Sequence, residues 1–525
     1  MEKQTMKEKE IPKAGWQMGP WLIFAMILWG LQAIAIFMAL VLAVRVRSFL
    51  PDMVLPIIIG VLLFDAALTF LLLIWLERRK PGEEPKKVIR RRTFGTVLAT
   101  IVLILCMIAV AMMDPILNMI NTIAGEYTEF GIVNVYVLNE NPAQSLQEAA
   151  DYNFGYSTQF DEEGVLEMID EVNETLAVTI QTTLYDTELE LVDALYDGSI
   201  DAIIMDEEYT GVLELLDDYS DYGDRTRILK SIRVYTKPQV ITPDQGTAES
   251  AEDTRYLDIT KDPFVVYLSG SDTRQERLSR SRSDVNILAV VNPTTHQVLL
   301  VNTPRDYYVK ISIAEEYRDK LTHCGIYGTQ CSMDTLSLLY DVPVDYSVQI
   351  NFTGFEKLVD AMGGVTVYSD ATFHSGGYSF KEGENKLSGK QALQFARDRY
   401  SFEDGDRARG RHQMALVKGI LNKAISSPEL ITNFTEILDS IEGMVACRFS
   451  TEEIGSLVKM QLEYGGSWEI LTYSVSGTDS KDVTYSAPGT PLYVMVPDDT
   501  MVDKASYLMN RILDGDVITE EDCTD

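Results

Sequence analysis

Asp284–Asp306, DVNILAVVNPTTHQVLLVNTPRD, reads as two apolar strands joined by a short polar turn and closed at both ends by charge. Val285–Val291 and Gln297–Thr303 are rich in β-branched residues, and Asn292-Pro293-Thr294-Thr295-His296 between them carries turn chemistry. In simple register position 291 faces 297, which sets Asp284 opposite Pro304 and beside Arg305. Arg282 lies just ahead of the first strand, so Arg282, Asp284 and Arg305 share one sheet end. One strand earlier, Phe264–Leu268 is apolar throughout and runs into Gly270-Ser271-Asp272-Thr273-Arg274. If that strand runs parallel to the third, Asp272 joins the same edge. Two carboxylates among arginines suit a hard, oxygen-seeking cation such as Mg2+ or Mn2+ bridging phosphate oxygens, with guanidinium groups neutralising the rest. The plainer reading of each position taken singly is a polar strand end closing an ordinary turn.

A second stretch, Phe395–Gln413, FARDRYSFEDGDRARGRHQ, sharpens the anion site. It holds five arginines (Arg397, Arg399, Arg407, Arg409 and Arg411) and no lysine. Like charges repel, and planar guanidinium forks match phosphate oxygens better than ammonium does. Ser388 and Gln391 have capping-box spacing and open an amphipathic helix that delivers Arg397 and Arg399 at its far end. Asp406 is placed to cap a second helix with the apolar stripe Val417, Ile420, Leu421 and Ala424. Stepping back by four from Val417 reaches Gln413 and then Arg409, so both continue the inward stripe. Cations in a first helical turn oppose the macrodipole at about 0.3–1 kcal/mol each, a cost that a bound phosphate reverses. The competing reading is a solvated basic face paired with Glu403, Asp404 and Asp406.

The rest of the 525-residue chain allows two or more domains. Residues 1–124 carry 14 Lys+Arg against 9 Asp+Glu, net +5, which leaves 31 against 70, net −39, for the remainder. So acidic a surface argues against nucleic acid as a partner. Residues 21–44, 53–76 and 93–113 are uncharged or nearly so, and each is long enough to span a bilayer's hydrocarbon layer. The arginine- and lysine-rich loop 77–92 belongs inside by the positive-inside rule, so residues 1–20 are cytoplasmic and the chain beyond Asp114 is outside. Asp65, at mid-depth in the second span, reads as a protonated or hydrogen-bonded carboxyl between helices. Cys324 and Cys331 form one close pair, for which a disulfide and two free thiols are both open. The four histidines make no cluster, which disfavours zinc.

Residues 125–237 read as an α/β accessory unit. Its strands are expected at Gly131–Leu138, Leu176–Thr183 and Ile200–Met205, and its helices near Glu163–Asn173, Glu188–Tyr196 and Tyr209–Asp217. Leu191–Ile204 resembles a lobe of periplasmic solute-binding proteins, but no ligand residue stands out, and a structural spacer is the favoured role. Residues 238–260, rich in Pro, Thr, Glu and Asp, form a linker. Residues 261–525 form the second α/β domain, and 426–525 complete its sandwich with helices and a strand at Leu492–Val496.

Further motifs belong to that domain: Asn351-Phe352-Thr353-Gly354-Phe355, Val359-Asp360 with Gly363-Gly364-Val365, and Arg397-x-Arg399 with Asp406, Arg409 and Gln413. With Asp272-Thr273-Arg274, Arg282-Ser283-Asp284, Asn292-Pro293 and Pro304-Arg305-Asp306, in this order and spacing, they resemble the LytR-CpsA-Psr family of cell-wall phosphotransferases across a motif core of 262–425. The resemblance implies an extracellular α/β/α sandwich with a central mixed sheet and an apolar tunnel for a prenyl chain, anchored in the cell membrane. It also implies a reaction. A glycopolymer phosphate (teichoic acid, capsule or similar) passes from a polyprenyl-pyrophosphate carrier to a peptidoglycan hydroxyl. By position, Asp272 and Asp284 would hold the metal, and Arg282, Arg305, Arg397, Arg399, Arg409 and Gln413 the pyrophosphate. Arg282, Arg305, Asp306 and Arg397 are the candidate catalytic groups, Asp306 as a general base. Two departures stand out. Lys320-Leu321-Thr322-His323-Cys324 replaces a Lys-Ile-Asn-x-Ala pattern near the acceptor or the tunnel mouth, and His412-Gln413-Met414 replaces Arg-Gln-Gln, with Arg411 as a stand-in for the lost cation. The rival reading is an extracellular binding or sensing protein for anionic polyprenyl lipids. Asp272 and Asp284 weigh against it, because a passive anion receptor gains nothing from acids beside its phosphate.

Overall fold

A computed structural model describes residues 20–45, 54–77, 129–235, 257–271, 277–402, 405–427 and 440–524, with isolated positions between them. The chain divides into two compact units, Met1–Asn118 and Met119–Asp525. In the first, α1 (Pro20–Arg45) and α2 (Val54–Glu77) are apolar on all faces and pack together, with the rings of Trp29 and Phe70 at 5.3 Å between centroids. Within α1, Met26–Val44 is long and apolar enough to cross a membrane, and this N-terminal helix fits a membrane anchor. The described apolar stretch in α2, Leu55–Phe64, is shorter. Most of the third expected span, 93–113, lies outside the described residues. One span is therefore supported where three were expected.

The accessory part of the second unit is a five-stranded sheet in the order β3-β2-β4-β1-β5, built from β1 (Phe130–Leu138), β2 (Asn153–Ser157), β3 (Gln181–Tyr185), β4 (Ala202–Asp206) and β5 (Thr226–Tyr235). β2 is parallel to β3 and β4, and β1 is antiparallel to β4 and β5. The helix α3 (Glu162–Leu176) lies on one face, packed on Val133, Val135, Phe154 and Ile204. On the other face α4 (Glu188–Tyr196) packs on Tyr136, Ile203 and Met205. The strand expected at Leu176–Thr183 starts five residues later, because α3 continues to Leu176 and Ala177 closes it in the left-handed conformation at φ 54°. β2 and β5 were not anticipated. Where a helix was expected over Tyr209–Asp217, the α-helical part is the single turn Thr210–Leu213, flanked by 3-10 turns at Glu207–Tyr209 and Asp217–Tyr219. Residues 236–256, most of the expected linker, lie outside the described residues.

The larger sheet is mixed, as expected, in the order β16-β11-β6-β7-β8-β17. It comprises β6 (Phe264–Ser271), β7 (Ser283–Asn292), β8 (Gln297–Asn302), β11 (Tyr346–Asn351), β16 (Val445–Cys447) and β17 (Glu469–Ser474). Short ribbons attach to it: β9 (Tyr308–Ile311) with β10 (Ala314–Lys320), β12 (Val365–Ser369) with β15 (Gly383–Leu387), β13 (Phe373–Ser375) with β14 (Tyr378–Phe380), and β18 (Gly477–Thr484) with β19 (Ala487–Pro497). On one face α5 (Thr329–Tyr340) and, at the chain's end, α10 (Asp499–Leu513) bury Tyr267, Leu288, Val290, Leu299 and Val301. The alternate residues Ile287, Ala289, Val298 and Leu300 are also buried, and α8 (Asp406–Ser426) packs against β7, β8 and β17. Cover on both faces is why the central strands read as unbroken apolar runs. Three further helices, α6 (Phe352–Ala361), α7 (Gly389–Arg397) and α9 (Thr451–Tyr464), belong to the same half of the chain.

The β7–β8 turn corrects the expected register. Asn292 pairs with Gln297 and Val291 with Val298, one residue away from the 291–297 pairing. The Asn292 side chain accepts hydrogen bonds from the Thr294 and Thr295 amides at 2.9 and 3.0 Å, and His296 takes a left-handed φ of 55°. The loop thus has four residues rather than five. Continued past Ile287 and Asn302, this register sets Asp284 level with Arg305 instead of Pro304.

Cys324, Cys331 and Cys447 are buried free thiols and Cys523 is a half-buried one, so Cys324 and Cys331 form no disulfide.

Candidate functional site

The site grows out of one sheet end. β7 is antiparallel to both β6 and β8, so the last residue of β6 and the exit of β8 lie at the same edge, with Ser271 paired to Ser283. Asp284 there forms an ion pair with Arg305 Nη1. Arg305 Nε also lies 3.8 Å from Asp306, and Lys320, at the end of β10, reaches Asp306 at 3.1 Å. Burial acts to raise the Asp306 carboxyl, but Lys320 and Arg305, with Arg409 behind them, hold it below the ordinary aspartate value.

The helix α8 brings the next cation. It starts at Asp406 behind Gly405, so Asp406 occupies the first helical position rather than the cap, and its carboxylate pairs with Arg409 one turn on. Arg409 and Gln413 are both buried, but of the apolar stripe used to place them Val417, Ile420 and Leu421 are only half-buried and Ala424 is exposed, so the helix is buried chiefly in its first half. Burial lowers the Arg409 pKa and raises that of Asp406. Asp284, Arg305 and Arg399 all contribute to the field at Arg409. Asp284, Arg305, Asp306, Arg399 and Arg409 therefore lie in one neighbourhood, and Gln413 is buried one turn beyond Arg409 on the same helix.

The helix α7 carries the capping box of Ser388 and Gln391 and ends at Arg397. That guanidinium lies over the Phe352 ring at 4.6 Å, and the Phe352 amide donates to the Thr273 carbonyl at 3.3 Å. Arg397 is thus held beside the chain leaving β6. Asp272 itself lies outside the described residues. Arg282 follows a different course: its Nη1 donates to the Gly211 carbonyl of the accessory domain at 3.1 Å.

Two departures gain a structural reason. His412 is buried among Phe373, Phe395 and Phe402, with centroids at 5.0, 4.3 and 5.0 Å, and burial lowers its pKa, so position 412 serves the core and carries no cation. Arg411, the expected stand-in, meets Asp370 instead. His323 is fully buried, its Nδ1 within 2.7 Å of Asp319 and 2.8 Å of Ser486 Oγ. This pins the backbone next to Lys320. The reading of the motifs missed the Lys320–Asp306 pair. It also missed Arg280, which alternation along an extended segment places on the same side as Arg282.

The LytR_cpsA_psr family model matches residues 232–501, just over half of the chain. The chain belongs to this family. Among its LytR_cpsA_psr relatives, the polyisoprenyl-teichoic acid–peptidoglycan teichoic acid transferase TagU of Bacillus subtilis is 36% identical over 223 residues, covering 42% of this chain and 71% of TagU. The protein of the same name from Halalkalibacterium halodurans is 30% identical over 276 residues, 51% of this chain and 86% of its own length. The crystal structure of B. subtilis TagU aligns over 49% of this chain and all of its own, with 30% identity and a TM-score of 0.40.

Proposed function

We propose that this chain is a membrane-anchored phosphotransferase that moves a glycopolymer phosphate from a polyprenyl-pyrophosphate carrier to a hydroxyl of peptidoglycan on the outer face of the cell membrane. The observation that carries the reading is the convergence of Arg305 and Arg409 on Asp284 and Asp306 at one sheet end, in a chain whose relatives are named as teichoic acid transferases. Phosphoryl transfer asks a protein chiefly to position and neutralise, and a guanidinium cradle does both.

Arg305 and Arg409 bind the pyrophosphate oxygens from the sheet side, Arg397 and Arg399 close on it from the end of α7, and Gln413 adds a neutral donor. Asp306 is already held by Lys320 and Arg305 with a depressed pKa, which makes it a poor proton acceptor and a good anchor for Arg305. We therefore assign it a positioning role instead of that of general base. The donor chemistry at Asp284 fits a hard divalent cation, with one carboxylate oxygen on Arg305 and the partner acid expected at Asp272. Mg2+ or Mn2+ held there would offset the charge on the polyprenyl phosphate that departs when the acceptor hydroxyl takes the polymer-bearing phosphorus. All three expected membrane spans belong to this reading.

Arg397→Ala tests it, because the exposed guanidinium stacks on Phe352 without supporting the core. Transfer of lipid-linked polymer to peptidoglycan should fall by at least a hundredfold while the melting temperature stays within a degree or two. Unchanged transfer would sink the assignment.

A further inference from the structure

The accessory domain grips the catalytic half in more than one place. Arg280 is one, paired with Asp161 and lying 2.9 Å from Asp206. The Tyr485–Ser486 turn between β18 and β19 is another, and both of its carbonyls accept hydrogen bonds from accessory side chains. Tyr209 Oη donates to the Ser486 carbonyl at 2.8 Å, and Gln159 Nε2 to the Tyr485 carbonyl at 3.3 Å.

The other side of this turn is bound to the segment that leads into the site. The Ser486 amide donates to Asp319 at 2.8 Å, and the Ser486 hydroxyl lies 3.2 Å from that carboxylate and 2.8 Å from His323 Nδ1. His323 Nδ1 is itself 2.7 Å from Asp319, which also accepts the Lys320 amide at 2.7 Å. The Tyr485 amide donates to the Arg318 carbonyl at 2.9 Å. Asp319 and His323 are fully buried and Ser486 nearly so. A carboxylate buried this deep is tolerated because its donors surround it, so the network fixes the backbone on both of its sides.

Three bonds then pass from residues 320–322 to the site. Lys320 Nζ reaches Asp306 at 3.1 Å, the Thr322 amide donates to the Arg305 carbonyl at 2.8 Å, and the Leu321 amide donates to the Tyr307 carbonyl at 2.9 Å. The backbone of Arg305 and the side chain of Asp306 are thus fastened to a segment that Ser486 fastens in turn. The accessory end of the route, Gln159 and Tyr209, lies ahead of residues 232–501, the part that matches the family.

We propose that the accessory domain positions Arg305 and Asp306 for the pyrophosphate through this route, with Tyr209, Ser486 and Asp319 as its positioning residues. The spacer expected from sequence thereby becomes part of the site's support. The identity of the anion rests on the phosphotransferase reading.

The test uses the full-length protein in detergent, with calorimetric binding of a polyprenyl pyrophosphate and hydrogen exchange at the Leu321 and Thr322 amides. Tyr209→Phe keeps the ring in the core and removes one hydrogen bond. It should weaken binding about threefold and speed exchange at both amides while exchange within β6 stays unchanged. Ser486→Ala should weaken binding about fivefold, and the two changes together should lose less than the product of the single losses, because they lie on one route. Unchanged affinity in either variant, a full product in the pair, or exchange that quickens equally in β6 would overturn the proposal. If Ser486→Ala does not fold, Gln159→Ala takes its place with the same expectations. Should the unaltered protein fail to bind the pyrophosphate, the function reading fails and exchange decides alone: faster exchange at Leu321 and Thr322 in Tyr209→Phe upholds the route, and unchanged exchange refutes it.

Discussion

Arg409 illustrates why single side chains here have two roles that can be separated. It is buried, and its partner Asp406 is held by the same pair. Arg409→Ala should therefore abolish transfer and also destabilise the domain by roughly 1–3 kcal/mol, because an acid is left buried without its partner. Adding Asp406→Asn should recover most of the stability and none of the activity, which thermal melts and a transfer assay would show. The burial of Arg409 was anticipated from its spacing to Val417, although burial along this helix is concentrated in Ala408–Leu416 and the later stripe residues are half-buried or exposed. The Lys320–Asp306 pair was not, because it depends on where the β9–β10 ribbon places a side chain that no local pattern ties to Asp306.

At the level of elements, the position of α8 is set by small residues. A Cβ on Gly419 would lie 2.6 Å from the Thr366 carbonyl of β12, and one on Gly410 would lie 2.3 Å from the buried Asn302 at the end of β8. Alanine is the better helix former, yet Gly419→Ala should cost roughly 1–3 kcal/mol, because a backbone carbonyl cannot step aside. The melting temperature should fall, and the helix carrying Arg409 should shift with it, so affinity for the pyrophosphate should fall too. A stabilised variant would refute this account of the contact. The identity of β6, β7 and β8 and the β7–β8 hairpin followed from apolar runs and turn residues, whereas the place of β6 beside β7 did not. The register did not, because an Asn292 side chain that captures two amides shortens the loop by one residue.

Across the whole molecule, the two α/β halves of Met119–Asp525 share a core: Ile326, Ala487 and Leu492 of the catalytic half pack with Leu191, Tyr209 and Leu213 of the accessory half. Phe160 bridges them, its ring 5.0 Å from Tyr327 and 5.5 Å from Tyr209, and its amide donates to Glu188 at 3.1 Å. Burial pushes the Glu188 carboxyl up to about 7. An acid whose pKa is higher in the folded state binds its proton more tightly there. Stability is therefore full below the unfolded value near 4.5 and declines as pH rises toward 7. Glu188→Gln should raise stability at pH 8 by on the order of 2 kcal/mol and change little at pH 4, as melts at the two pH values would reveal. Nothing in the sequence marked this acid, because its burial depends on the fold bringing Ser157 and Phe160 over the start of α4.

The thiols offer a handle on sidedness. Cys324, Cys331 and Cys447 are enclosed, and Cys523, near the C-terminus, is the one partly open cysteine among the described residues. Burial raises its pKa, so a maleimide should label it slowly at neutral pH and faster as the medium is made alkaline. A charged, membrane-impermeant maleimide added to intact cells would then mark the protein only if its C-terminal half lies outside, and Cys523→Ser would silence the signal. A single native sulfur thus reports orientation without any engineered tag.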